Sequence, residues 1–177
     1  MKKYLSGSWM VIKNYLFAMI FFCIFFVGFY SKVSLFSIAI FIIMIMLIYS
    51  ESAHYAGVDK RRYGSIRPYE GAVYGLLATV PFIVIQIIIS QLNLSFEAIN
   101  FDALKINLIK GFVAPMLFVA KLGKYTIWGF MMAWSTIVLF SFLGYFAGYK
   151  GFELTVIIRR FFGLQPKKKR TTNRNRR

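Results

Sequence analysis

The sequence is poor in the residues from which most catalytic and metal sites are built. It has one cysteine, one histidine and six acids. Cys23 lies inside an apolar run and has no partner for an intrachain disulfide. It reads as a small apolar residue among lipids or helices. One histidine and one cysteine cannot assemble a zinc site, which needs several nitrogen or sulfur ligands. Glu51 and His54 are three apart, a spacing that sets two side chains on one helix face. Carboxylate-bridged metal sites need a second such motif and further carboxylates, so neither a metal nor a cofactor is expected. No GxSxG elbow, P-loop, GxGxxG or HExxH occurs. His54 is the one candidate general base, and no Ser-His-Asp or Cys-His arrangement accompanies it. The long apolar runs carry no acid or base deep inside them, which argues against an ion-coupled transporter working as a monomer.

What the chain has in excess is grease and positive charge. Of its 177 residues, 59% are apolar and 19% aromatic, against about 45–50% apolar in ordinary soluble domains. So short a chain cannot hide that excess in a water-surrounded core. An all-α integral membrane protein is expected. The formal net charge of +16 lies almost wholly outside the apolar runs.

Four runs are long enough to cross roughly 30 Å of hydrocarbon at about 1.5 Å per residue. They cover about 9–30, 33–50, 71–90 and 125–149 of a membrane domain spanning 1–149. The first is read as a retained anchor, because bulky residues close it where a cleavage site needs small ones. Ser31-Lys32 leaves room only for a tight hairpin to the second. Pro81 predicts a kink in the third, where neighbouring helices can satisfy the freed carbonyl. Gln86 is the strongly polar side chain of that run, expected to hydrogen-bond a neighbouring helix. Trp128 and Trp134 towards one end of the fourth, with Tyr145 and Tyr149 at the other, read as interfacial belts.

Between the third and fourth runs, 91–107 is polar with spaced apolar residues and fits an amphipathic helix poorly. The segment 108–122 has an apolar core of about ten residues broken by Pro115, too short for a span; an interfacial or re-entrant piece is expected. Beyond the last span, 150–163 has apolar residues at helical spacing and reads as an amphipathic surface helix. The tail, 164–177, is basic, and disorder is expected for it.

The passage from Ser50 to Glu70 separates the second and third runs. It holds three of the six acids, the histidine and the Lys60-Arg61-Arg62 triplet. With four spans both termini share a side, and so does this passage. That side receives seventeen of the basic residues, including every arginine, and the other receives five. The positive-inside rule makes it cytoplasmic, in a membrane compatible by composition with a bacterial plasma membrane. Arginine forks suit phosphate, so Lys60, Arg61, Arg62, Arg67, Arg159 and Arg160 are the candidate binding residues for anionic headgroups. Two small-xxx-small patterns, Gly71 with Gly75 and Gly144 with Gly148, are expected to let the third and fourth spans approach beside this passage.

The leading function is a non-enzymatic scaffold, assembly or regulatory protein offering a basic cytoplasmic face to anionic lipid or a partner, which could be another membrane protein or a second copy. The tail could also touch RNA, such as a ribosome at the membrane. A transport-complex subunit, with Pro81, Gln86 and 108–122 near a path, is the alternative. Third is an enzyme acting on lipid phosphate through His54 and Arg61 or Arg62. The threading gives a direct test. A reporter fused after Arg177 should score as cytoplasmic, and an external score overturns the topology.

Overall fold

The computed structural model describes residues 2–26, 33–91 and 101–151. Arg159, Arg160, the tail and all but the first two residues of the expected amphipathic helix lie outside them. The described residues are almost all helical. In order they form α1 (Lys2–Phe26), α2 (Val33–Tyr63), α3 (Glu70–Gln91), α4 (Phe101–Phe112), a 3-10 turn (Ala114–Met116), α5 (Leu117–Leu122) and α6 (Ile127–Tyr149). Four of these, α1, α2, α3 and α6, are long and apolar enough to cross a membrane.

Each long helix buries one stripe and leaves much of the rest exposed. On α2 the stripe is Ser37, Ile40, Met44, Ile48, Ser52, Ala56 and Asp59, three or four residues apart throughout. The α2 helix was expected to end near residue 50 but runs on to Tyr63. Its buried register continues unbroken through Ser52, Ala56 and Asp59, so packing carries the helix past the end of the apolar run. Its 31 residues make a rod of about 46 Å. Of the Ser50–Glu70 passage only residues 64–69 are non-helical. Gly64 closes α2 with φ +73°, and its N–H bonds the Lys60 carbonyl at 3.1 Å.

In the bundle, α1 and α6 each pack against both α2 and α3. The centre is aromatic. Tyr15 meets Phe82 at 4.9 Å and Trp134 at 5.4 Å, and Phe82 stacks on Trp134 at 5.5 Å between centroids. Trp134, expected in an interfacial belt, is buried here, whereas Trp128 is 74% exposed. Its indole N–H donates to Gln86 Oε1 at 2.9 Å. Tyr145 is likewise buried rather than interfacial.

Part of the segment 108–122 lies inside the helix bundle. Val113, Ala114, Pro115 and Met116 are all buried, so the chain dips into the bundle and returns. The backbone freed at this break is taken up by other helices. The Tyr15 hydroxyl donates to the Phe112 carbonyl. Ser37 Oγ lies 3.2 Å from the Ala114 carbonyl and 3.3 Å from that of Pro115, and accepts from the Phe118 N–H at 3.4 Å. Helix α4 begins inside the polar stretch that fits an amphipathic pattern poorly; contact with α3 supports it.

The two glycine pairs do not face each other. Gly71 and Gly75 do lie on α6, where a Cβ on Gly71 would strike Tyr145 and one on Gly75 would come within 2.8 Å of Val138 Cα. Gly144 and Gly148 turn instead to α2, against the backbone of Tyr49 and Ala53. Helix α6 sits between α2 and α3 and needs a small face towards each. A Gly148→Leu substitution must separate α6 from α2 and should cost at least about 1–3 kcal/mol. Nothing lies within 4 Å of a Cβ built on Gly111, so Gly111→Ala should be neutral or stabilise α4 by about 0.5–1 kcal/mol. Thermal unfolding in detergent separates the two, and equal shifts would refute the packing described.

Candidate anion-binding face and the polar clasp beneath it

Where α2 ends and α3 begins, acids and bases part company. Asp59 and Glu70 are 5% and 4% exposed, while Lys60, Arg61, Arg62 and Arg67 are all exposed. The reason is register. Asp59 continues the buried stripe of α2, and Glu70 opens that of α3. The residues beside them are turned outward by the helix or by the short 64–69 connection.

The inward acids are met by donors from α1, α3 and α6. Tyr74 on α3 donates to Asp59 Oδ2 at 2.6 Å. Tyr145 on α6 lies 2.6 Å from Glu70 Oε2 and 3.1 Å from Asp59 Oδ2. Its hydroxyl has one proton, and the shorter contact goes to Glu70. Lys3 on α1 donates to the same Glu70 oxygen at 2.6 Å, with side-chain exposures of 14% and 6%. Tyr4 and Tyr145 both stand edge-on to Tyr74, at 6.0 and 5.5 Å. The result is a clasp across one end of the bundle, holding α1, α2, α3 and α6 together. Asp59 thus contacts Tyr74 and Tyr145 from two other parts of the chain.

A second polar contact lies further along. Asn14 on α1 donates to Glu51 Oε2 on α2 at 2.9 Å. Glu51 is thereby directed into the α1–α2 interface, whereas His54 is exposed. Among the described residues no group of three or more His, Cys, Asp and Glu side chains is placed to hold a metal. Among the described residues no side chain hydrogen-bonds His54. What it offers is cationic surface.

That surface carries Lys60, Arg61 and Arg62 on the last turn of α2 and Arg67 before α3. None pairs with a described carboxylate. Arg67 donates to the Tyr69 hydroxyl at 2.6 Å and lies 5.9 Å from its ring centre. This hydrogen bond holds the Arg67 pKa above its usual value, so the guanidinium stays charged, with donors left for an external oxygen. Tyr63 and Tyr69 are each 47% exposed and place amphipathic rings beside the cations, as at a headgroup boundary.

The clasp could not be assembled from sequence, although two signals pointed to it. Asp59 sits three residues after Ala56 and so in register with the apolar stripe. Tyr74 and Tyr145 each adjoin a glycine of the small-xxx-small patterns. No family model matches the chain, and no curated protein or solved structure resembles it significantly.

Lys3 gives the test of the clasp. Lys3→Met leaves Glu70 buried without its cation and should destabilise the protein by about 3–5 kcal/mol. Adding Glu70→Met should recover most of that loss, because no orphan charge remains. Additive losses in detergent unfolding would place the pair outside the stabilising core.

Proposed function

We propose that this is a non-enzymatic scaffold, assembly or regulatory protein of the membrane, acting through a basic cytoplasmic face that engages anionic headgroups or an acidic partner. One observation carries the reading. The carboxylates at the clasp end are turned inward and satisfied, while the cations beside them are turned outward and unpaired with any described carboxylate. A surface whose own acids are withdrawn attracts external anions. Each base near an anionic membrane surface contributes on the order of 1 kcal/mol, and a rigid four-helix base fixes where those charges stand. The positive-inside rule puts this end, and both termini, in the cytoplasm.

The buried polar side chains of the long helices are hydrogen-bonded within the bundle, with the exception of Gln86 Nε2, which is buried without a partner among the described residues. Gln86 accepts from Trp134, Ser37 serves the 114–118 backbone, and Ser141 donates to the Gly71 carbonyl at 2.8 Å. This supports the scaffold reading over a transport subunit. Exposed His54, hydrogen-bonded by no side chain among the described residues, supports it over an enzyme.

The test replaces Lys60, Arg61 and Arg62 by Gln. Purified protein should bind phosphatidylglycerol in preference to phosphatidylcholine, more strongly at low salt. The triple variant should weaken the salt-sensitive part of that binding on the order of a hundredfold with an unchanged melting temperature. Equal binding of both lipids by the unaltered protein overturns the lipid reading. A stable monomer from mild detergent with neither lipid nor protein attached would end the scaffold reading altogether.

A further inference from the structure

Outside the clasp, an open groove of about 590 Å³ runs between α3 and α6, walled by Ala72 and Leu76 on one side and Met132, Ser135, Leu139 and Phe142 on the other. Its walls are dry in character. The Ser135 hydroxyl donates to the Met131 carbonyl at 2.8 Å and Thr136 to that of Ala133 at 2.6 Å, so both turn their protons into their own helix. From Met132 to Phe142 the groove covers about 15 Å of α6 at 1.5 Å per residue, roughly half the hydrocarbon thickness. That is the depth of one leaflet.

Beyond the clasp end of the groove each wall is followed by a cation that lies against an aromatic ring. On the α3 side, Tyr69 immediately precedes the helix that carries Ala72 and Leu76, and Arg67 bonds its hydroxyl. On α6, Phe142 stacks on Phe146 at 5.9 Å. The Lys150 ammonium lies 5.7 Å from the Phe146 ring centre. Both Arg67 and Lys150 are exposed. An apolar slot one leaflet deep, with a cation on either side of its headgroup end, matches a molecule with an acyl chain and an anionic head.

We infer that the α3–α6 groove is a binding site for one anionic phospholipid of the clasp-end leaflet. Its acyl chain lies along Leu76, Leu139 and Phe142, and its phosphate is held by Arg67 and Lys150. The inference rests on the anionic-face reading above but assigns it a defined ligand, stoichiometry and seat. It separates Arg67, which belongs to the groove, from Lys60, Arg61 and Arg62, which form a diffuse surface. Arginine supplies the fork suited to phosphate oxygens and lysine the point charge.

Native mass spectrometry of the detergent-solubilised full chain tests this, with phosphatidylglycerol, phosphatidylcholine and the deacylated glycerophosphoglycerol headgroup as probes. The expected result is one retained phosphatidylglycerol, little phosphatidylcholine and no deacylated headgroup. Arg67→Gln with Lys150→Gln should weaken the retained lipid about thirtyfold, the loss of two headgroup-level charges. Both residues are exposed, so the melting temperature without lipid should not move. Ala72→Leu, which partly fills the groove, should reduce lipid retention while leaving the cations intact. The Lys60, Arg61 and Arg62 triple variant should keep the single tight lipid and lose only the weaker, salt-sensitive ones. If it loses the tight lipid while the Arg67 and Lys150 variant keeps it, the groove is overturned and the anionic face survives. Binding of the deacylated headgroup as well as the lipid would also overturn the groove, since the chain would then contribute nothing. A dimer whose formation Ala72→Leu abolishes would assign the groove to a second copy instead. Equal retention of both phospholipids would overturn both readings.

Discussion

Two carboxylates buried at one end of an apolar bundle set the terms for the rest of this structure. A buried charge without partners costs several kcal/mol, so Asp59 and Glu70 demand donors from whatever packs around them. Tyr74, Tyr145 and Lys3 answer that demand. They arrive from α3, α6 and α1, and Asp59 itself is on α2. One polar network thus ties together four helices that lipid alone would hold only loosely, since a bilayer gives no hydrophobic drive for helix to meet helix. The close approach that the network needs is provided by Gly71 and Gly75 against α6, and by Gly144 and Gly148 against α2.

Further into the bundle the constraint is the backbone. Residues 113–116 break helical hydrogen bonding among apolar neighbours, and unpaired carbonyls there are expensive. Tyr15 and Ser37 supply hydroxyls from α1 and α2. The Tyr15, Phe82 and Trp134 rings fill the centre beside this break, and Gln86 takes the indole proton. Clasp and plug are alike in principle: each polar group is answered by a helix distant in sequence, so each contact also fixes a packing arrangement.

The same division of charge gives the molecule its candidate function. Drawing Asp59 and Glu70 inward for structural reasons withdraws these two acids from the surface and leaves Lys60, Arg61, Arg62 and Arg67 outward. A face arranged in this way is suited to holding anions at a membrane, and it needs no catalytic machinery to do so. The lipid seat proposed for the α3–α6 groove would extend that chemistry from a surface to a defined site.

Composition and run length by themselves determined a helical chain with four segments able to cross a membrane, because hydrocarbon thickness and helical rise leave little freedom. They also determined which passages of the chain gather the basic residues. Helix ends were less legible. That α2 reaches Tyr63 depends on Ser52, Ala56 and Asp59 being buried by neighbours, which no local pattern of polar residues announces. Tyr145 and Trp134 looked like belt aromatics because depth along a span is visible in sequence and facing direction is not. Only tertiary structure decided that Gly144 and Gly148 meet α2, that Glu51 turns to Asn14 and away from partnership with His54, and that Lys3 reaches Glu70 across 67 residues. Those are contacts between distant parts of the chain, and they exist only once the helices have chosen their neighbours.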